Sequence, residues 1–266
     1  MRYKIDVFDM YTAIHGREGM WVLFDNRLKN VSVDSSTMIL TVVDSASTSN
    51  MPLCKNVDVN VIVVDVFVKW ITKVKALLEY MKKNYDNIPD YVMYADAFDV
   101  CVLKDVNNVA EMLDYYKCDV LFNGEGNYTH DGTNPPDGAP NNYYDDIYYK
   151  HFYDYVDYNE KKYGHRHEKG LNAGLFVGKK SSVINMLEEA YEYMNGDYRN
   201  GFPWGCTSDQ PLLRYVQIKN YNTISIDVYN KYLFHYTHLS SSNDINDCHH
   251  YLHYNLFVER YNKKIK

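Results

Sequence analysis

An α/β fold, with a mixed, mostly parallel sheet flanked by helices, is what this sequence predicts. Two observations carry that expectation. Short β-branched apolar runs alternate with longer stretches of helical spacing early in the chain, and strand-like runs recur in pairs late. The chain also has 266 residues, 46% hydrophobic and 24% charged, which is enough to bury one substantial core. No internal repeat or boundary divides it. A single domain over 1–266 is expected, with a motif-bearing core at about 37–245 and a helical tail at about 246–266.

Element by element, Met38–Val43 reads as a buried strand ending in a loop at Asp44-Ser45, and Val59–Val66 as a second strand. Lys69 to Tyr85 has helical spacing, with Trp70, Val74, Leu77, Leu78 and Met81 on one stripe and lysines opposite. Tyr91–Ala95 is an apolar strand that runs straight into Asp96. A helix over Asn107–Tyr116 and a strand over Asp119–Phe122 follow. From Tyr128 to Lys169 the sequence turns polar with no steady period, which reads as a functional loop or lid. Leu175–Val177 restores order, and Ser181 or Ser182 caps a helix to about Met194. A short helix is expected after Ser208, then strands at Thr223–Asp227 and Tyr232–His238. The cluster of His249, His250 and His253 reads as a surface feature of a C-terminal helix.

Composition narrows the function. A net charge of −7 argues against a protein that coats nucleic acid, which needs a basic face to displace counterions. Cys54, Cys101, Cys118, Cys206 and Cys248 are scattered without a CxxC pair, the pattern of free thiols in a reducing, cytoplasm-like compartment. No signal peptide or membrane span is expected. The 28 tyrosines read mainly as a compositional bias and only weakly as carbohydrate-stacking capacity.

Four segments carry chemistry. In YVMYADAFDV, Asp96 and Asp99 follow directly on a buried strand, and ligands of open α/β sheets bind beyond the carboxyl ends of strands. Paired carboxylates there suit a hard divalent cation such as Mn²⁺, with phosphate oxygens and water completing its shell. The plainer alternative is that Asp96 caps a turn and Asp99 is solvated. In GLNAGLFVG, Gly170, Gly174 and Gly178 allow close backbone approach to a sugar, and the Asn172 amide can both donate to and accept from hydroxyls. An ordinary glycine-punctuated strand explains the same residues. Thr207-Ser208-Asp209-Gln210 opens a helix, where Ser208 or Asp209 is a routine cap, or where Asp209 beside Gln210 binds sugar hydroxyls or orients the acceptor. In YLFHYTHLS, His235 or His238 could complete a metal site, and on a regular strand only one of the two would face it.

In this order the segments MILTVV, KVKALLEYMKKNY, YADAFDV, VLFNGEGN, LNAGLFVG, SDQ and the late histidine strand resemble the glycosyltransferase module of the procollagen lysyl hydroxylases, over roughly residues 37–245. The resemblance implies a GT-A fold, a UDP-sugar donor (UDP-glucose or UDP-galactose) and Mn²⁺ or another divalent cation. It assigns Asp96, Asp99 and either His238 or His235 as metal ligands. It places Thr41 and Phe98 at the uridine, Lys73 near the diphosphate, and Glu125, Asn172 and Asp209 at the donor sugar and acceptor. The implied acceptor is hydroxylysine or galactosyl-hydroxylysine in a collagen-like polypeptide. Glucosyl transfer to the latter, with retention, is the favoured reaction, and Asp209 is a candidate nucleophile. A homodimer fits the family.

Three departures stand out: Phe98 replaces a tyrosine, Ala76 replaces a tryptophan, and the acidic run is reduced to Ser208-Asp209. No hydroxylase domain is visible, so a stand-alone transferase is expected. A UDP-sugar transferase for another glycan or a modified nucleobase, and a non-catalytic nucleotide-sugar or collagen-binding module, remain alternative readings.

Overall fold

The computed structural model describes residues 30–47, 51–66, 71–97, 100–102, 104–125, 146–164, 170–195, 209–229, 231–235 and 251–253. Six strands form the main sheet: β1 (Thr37–Asp44), β2 (Asn60–Val64), β3 (Tyr91–Ala95), β5 (Val120–Glu125), β6 (Gly170–Lys179) and β7 (Ile224–Asp227), in the order β2-β1-β3-β6-β5-β7. β1 pairs in parallel with β2 and β3, and β5 in parallel with β7. Only β6 runs against its neighbours, antiparallel to both β3 and β5. This is the mixed, mostly parallel Rossmann-like α/β sheet that the alternation of runs predicts. A second sheet joins β4 (Val100–Val102), β9 (Tyr251–His253) and β8 (Leu233–His235) in that order.

Five helices flank the main sheet: α1 (Ile71–Lys83), α2 (Val109–Tyr116), α3 (Asp146–Tyr163), α4 (Lys180–Asn195) and α5 (Asp209–Lys219). α1, α4 and α5 pack side by side, α5 lies on β6, and α2 lies on β5 and β6. The core runs through the sheet, where Ile39, Leu40, Val92, Met93, Leu121, Phe122, Leu175 and Val177 are all buried. Gly178 sits where β6 is crowded. A Cβ there would lie 2.9 Å from Asp119 O, Val120 Cγ2 and Val183 Cγ2, so this glycine serves strand–helix packing and not sugar approach.

Several expectations need correction. The stretch 146–163, expected to be loop, is helix α3, whose buried side is Tyr155, Val156 and Asn159. A stripe made of a tyrosine and an asparagine is too polar to register as an apolar period. Lys73 was expected on the solvent side of α1 but is buried. β6 extends over ten residues instead of three, because a strand buried on both faces shows no alternation. Neither Ser181 nor Ser182 caps α4. The strand passes into the helix at Lys180, whose N–H is satisfied by Asp90 O at 2.8 Å. At the C-terminal end, residues 251–253 form β9 and not helix, paired with β4 and β8. Trp70 lies outside the described residues.

Among the described residues no helix is long and apolar enough to cross a membrane. Cys54 and Cys118 are free thiols, and burial pushes the Cys118 thiol up to about 12.

Candidate functional site

Because β1, β2, β3, β5 and β7 are mutually parallel, their carboxyl ends share one edge of the sheet, and the start of β6 lies at that same edge. Asp96 leaves β3 there. Its backbone N–H donates to Gly174 O at 2.9 Å, which ties the residue to the neighbouring strand. Its Oδ1 accepts the Tyr94 hydroxyl at 2.6 Å and the Lys73 ammonium at 3.4 Å. The Asp96 side chain keeps 22% exposure, so the carboxylate is held by protein and only partly reached by solvent.

Lys73 comes from the first turn of α1 and is only 4% exposed. It forms a close ion pair with Asp209, whose side chain is 6% exposed, and donates to Ala173 O at 3.2 Å. It also lies 4.9 Å from the Tyr94 ring centroid. Burial alone would lower the lysine's pKa, but the Asp209 and Asp96 carboxylates outweigh it and hold the ammonium more firmly protonated than usual. Asp209 is the first residue of α5, where an acidic side chain also meets the positive end of the helix dipole. Its routine reading as a helix-end residue is thus joined by a specific cation partner.

The third component is an irregularity in β6. Phe122 pairs with Phe176 but the next residue, Asn123, pairs with Asn172, so residues 173–175 have no partners on β5. The bulge frees backbone groups for side chains of the site. Ala173 N–H donates to Gln210 Oε1 at 3.2 Å and Ala173 O receives the Lys73 ammonium, while Gly174 O receives the Asp96 backbone N–H. Asn172 Oδ1 accepts the Gly174 N–H at 2.8 Å, closing a local turn. Asn123 Nδ2, with its amide oriented to meet both carbonyls, donates to Asn172 O and Leu175 O at 2.9 Å each. Arg214 of α5 holds Leu171 O at 3.2 Å. Small residues at 173 and 174 let the chain bulge, and five side chains, those of Lys73, Asn123, Asn172, Gln210 and Arg214, fix it.

The structure therefore brings Lys73, Asp96, Asn172 and Asp209 together around one bulge. Glu125 ends β5 opposite Gly170, at the same edge. Thr41 lies within β1 with no exposed surface, and its Oγ1 has no hydrogen-bond partner. His235 is the last residue of β8, with its backbone paired to His253. Phe98, Asp99 and His238 lie outside the described residues.

Asp96 and Asp209 against Lys73 leave one net negative charge, and a part-exposed carboxylate such as that of Asp96 is of the hard oxygen type that Mn²⁺ or Mg²⁺ takes. Among the described residues, no three His, Cys, Asp or Glu side chains converge as a metal cage.

Gln210, a candidate beside Asp209, proves to brace the bulge, while sequence reading missed Tyr94 and Asp227. Tyr94 looked like one more apolar strand residue, although its two-residue spacing from Asp96 puts both on one strand face. Asp227 ends β7 fully buried and accepts N–H groups of Lys231, Tyr232 and Leu233 at 2.8, 2.6 and 2.7 Å, along with the Tyr116 hydroxyl. A buried carboxylate with four donors fixes the turn that launches β8. Burial, reinforced by that carboxylate, raises the Tyr116 pKa, so the phenol stays a donor. No protein-family model matches the chain, and no curated protein matches it significantly.

Proposed function

We propose that the chain is a metal-dependent GT-A-type hexosyltransferase that moves a sugar, glucose by preference, from a UDP-sugar to hydroxylysine or galactosyl-hydroxylysine of a collagen-like polypeptide. The observation that carries this reading is the convergence of Asp96, Lys73, Asn172 and Asp209 at the carboxyl edge of a mostly parallel sheet, where nucleotides bind in such folds. The donor and acceptor identities rest on the resemblance of the motifs.

In this reading Asp96 and Asp99, with His238 or His235, hold Mn²⁺ or another divalent cation. A metal bound there neutralises charge on the diphosphate as the sugar–phosphate bond breaks. Lys73 adds a fixed positive charge at the same edge and, buried, acts without reorganising solvent. Its ion pair with Asp209 supports a holding role for that carboxylate in preference to attack on the sugar. Asn172 and Glu125, one strand apart, orient the donor sugar and the acceptor hydroxyl. Thr41 and Phe98 serve the uridine, and because Thr41 is fully buried, contact there requires the end of β1 to open.

The experiment is a mass-spectrometric screen of UDP-sugars with Mn²⁺ against collagen peptides bearing hydroxylysine or galactosyl-hydroxylysine. A hexose added to peptide by the wild type, and no addition by Asp96→Asn, is the expected outcome. Neither transfer nor UDP-sugar hydrolysis with any donor would leave a binding module as the better reading.

A further inference from the structure

We propose that β2 is a self-association edge, at which a second copy of this chain pairs antiparallel and extends the main sheet across a two-fold axis. β2 ends the strand order, and among the described residues nothing pairs with its outer side. The strand at the opposite edge, β7, is buried along its whole length. The main sheet thus has one open edge and one closed one. An open edge presents a row of unpaired N–H and C=O groups, which proteins commonly guard with lysine, proline or a bulge. Asn60–Val64 carries none of these.

The side chains along this edge are apolar where they meet water. Val63 is 53% exposed and Val66 65%, whereas the other large apolar side chains exposed among the described residues are all tyrosines. A tyrosine meets water through its hydroxyl, and a valine has no polar atom to offer. Strand alternation puts Val61 and Val63 on one face, while Ile62 points to the other and joins the core.

A second copy is the occupant that this edge fits. In the antiparallel register centred on Ile62, Val63 lies opposite Val61 of the second copy, and the symmetry repeats the contact. Asp65, just past the strand, lies beside Val59 of the second copy, so no two carboxylates face each other. Two-fold pairing uses both open edges, and the buried β7 edges stop growth at two copies. A strand pair of five residues a side covers far less than the roughly 1,200 Å² of a stable interface, so the dimer is reversible.

Sedimentation velocity over a concentration series tests the pairing. Wild-type protein is expected to pass from monomer to dimer by about 100 µM, with no larger species. Val63→Glu sets a charge against each apolar contact and should weaken association about 10-fold. Its urea-unfolding midpoint should match the wild type, because the position is exposed. Adding Val61→Lys to Val63→Glu places each lysine opposite a glutamate of the second copy and should restore association. Wild-type protein that stays monomeric at about 1 mM overturns the proposal. So does a dimer that ignores Val63→Glu, which would use another surface, or growth beyond two copies. A loss that Val61→Lys does not restore also overturns it, since the two positions would then not face each other.

Discussion

Lys73 shows what a single buried charge asks of its neighbours. An isolated ammonium inside a protein would cost several kcal/mol in lost hydration, and here Asp209, Asp96 and the Ala173 carbonyl replace the water. Removing one partner strands the other. Lys73→Met should cost about 3–5 kcal/mol in urea unfolding, because Asp209 is then an uncompensated buried carboxylate. Lys73→Met combined with Asp209→Leu should recover most of that loss, and strict additivity of the two single changes would contradict the pairing. The pH dependence has a definite sign. Since the folded-state pKa of Lys73 is raised above the ordinary 10.5, its contribution is complete at every pH below that value. It disappears only as pH rises through the elevated folded value. Lys73 should therefore contribute no slope to stability between pH 6 and 9.

At the scale of elements, two devices assemble the site: the bulge in β6 and the turn held by Asp227. The turn is the more economical of the two, since one carboxylate takes three backbone N–H groups and the Tyr116 hydroxyl and so sets where β8 begins. Asp227→Asn places an amide N–H against donors that need an acceptor. A loss of about 2–3 kcal/mol in urea unfolding is expected, and a change below about 0.5 kcal/mol would show the turn to be held by other contacts. In the functional reading β8 carries His235, so the same variant should also weaken metal-dependent nucleotide binding.

These devices also explain which elements the sequence disclosed. Strand β3 was legible because Tyr91–Ala95 is an unbroken apolar run of strand length, and β1 and β2 for the same reason. Helix α3 was not, since Tyr155 and Asn159 bury polar-capable side chains that break the apolar period. Most of β6 was hidden too: glycine and asparagine punctuate it, and a bulge has no periodic signature.

Across the whole molecule, the sheet order decides which distant segments meet. Asp96 and Asp209 stand far apart in sequence, yet the antiparallel β6 inserted between β3 and β5 lets α1 and α5 deliver Lys73 and Asp209 to one carboxyl edge. Asp96, Asn172 and Asp209 were candidates from sequence because carboxylates and amides stand at the ends of readable elements. The lysine's burial and the Gln210 contact depend on packing between elements, which no local pattern records, whereas the Tyr94 hydroxyl was within local reach of Asp96 but hidden in an apolar run. In the proposed function that edge holds a metal and a sugar nucleotide. Calorimetric titration with UDP, in the presence and absence of Mn²⁺, tests this most directly. Tighter binding with Mn²⁺, lost in a folded Asp96→Asn protein, is the predicted result. UDP affinity that ignores both the metal and the substitution would contradict it.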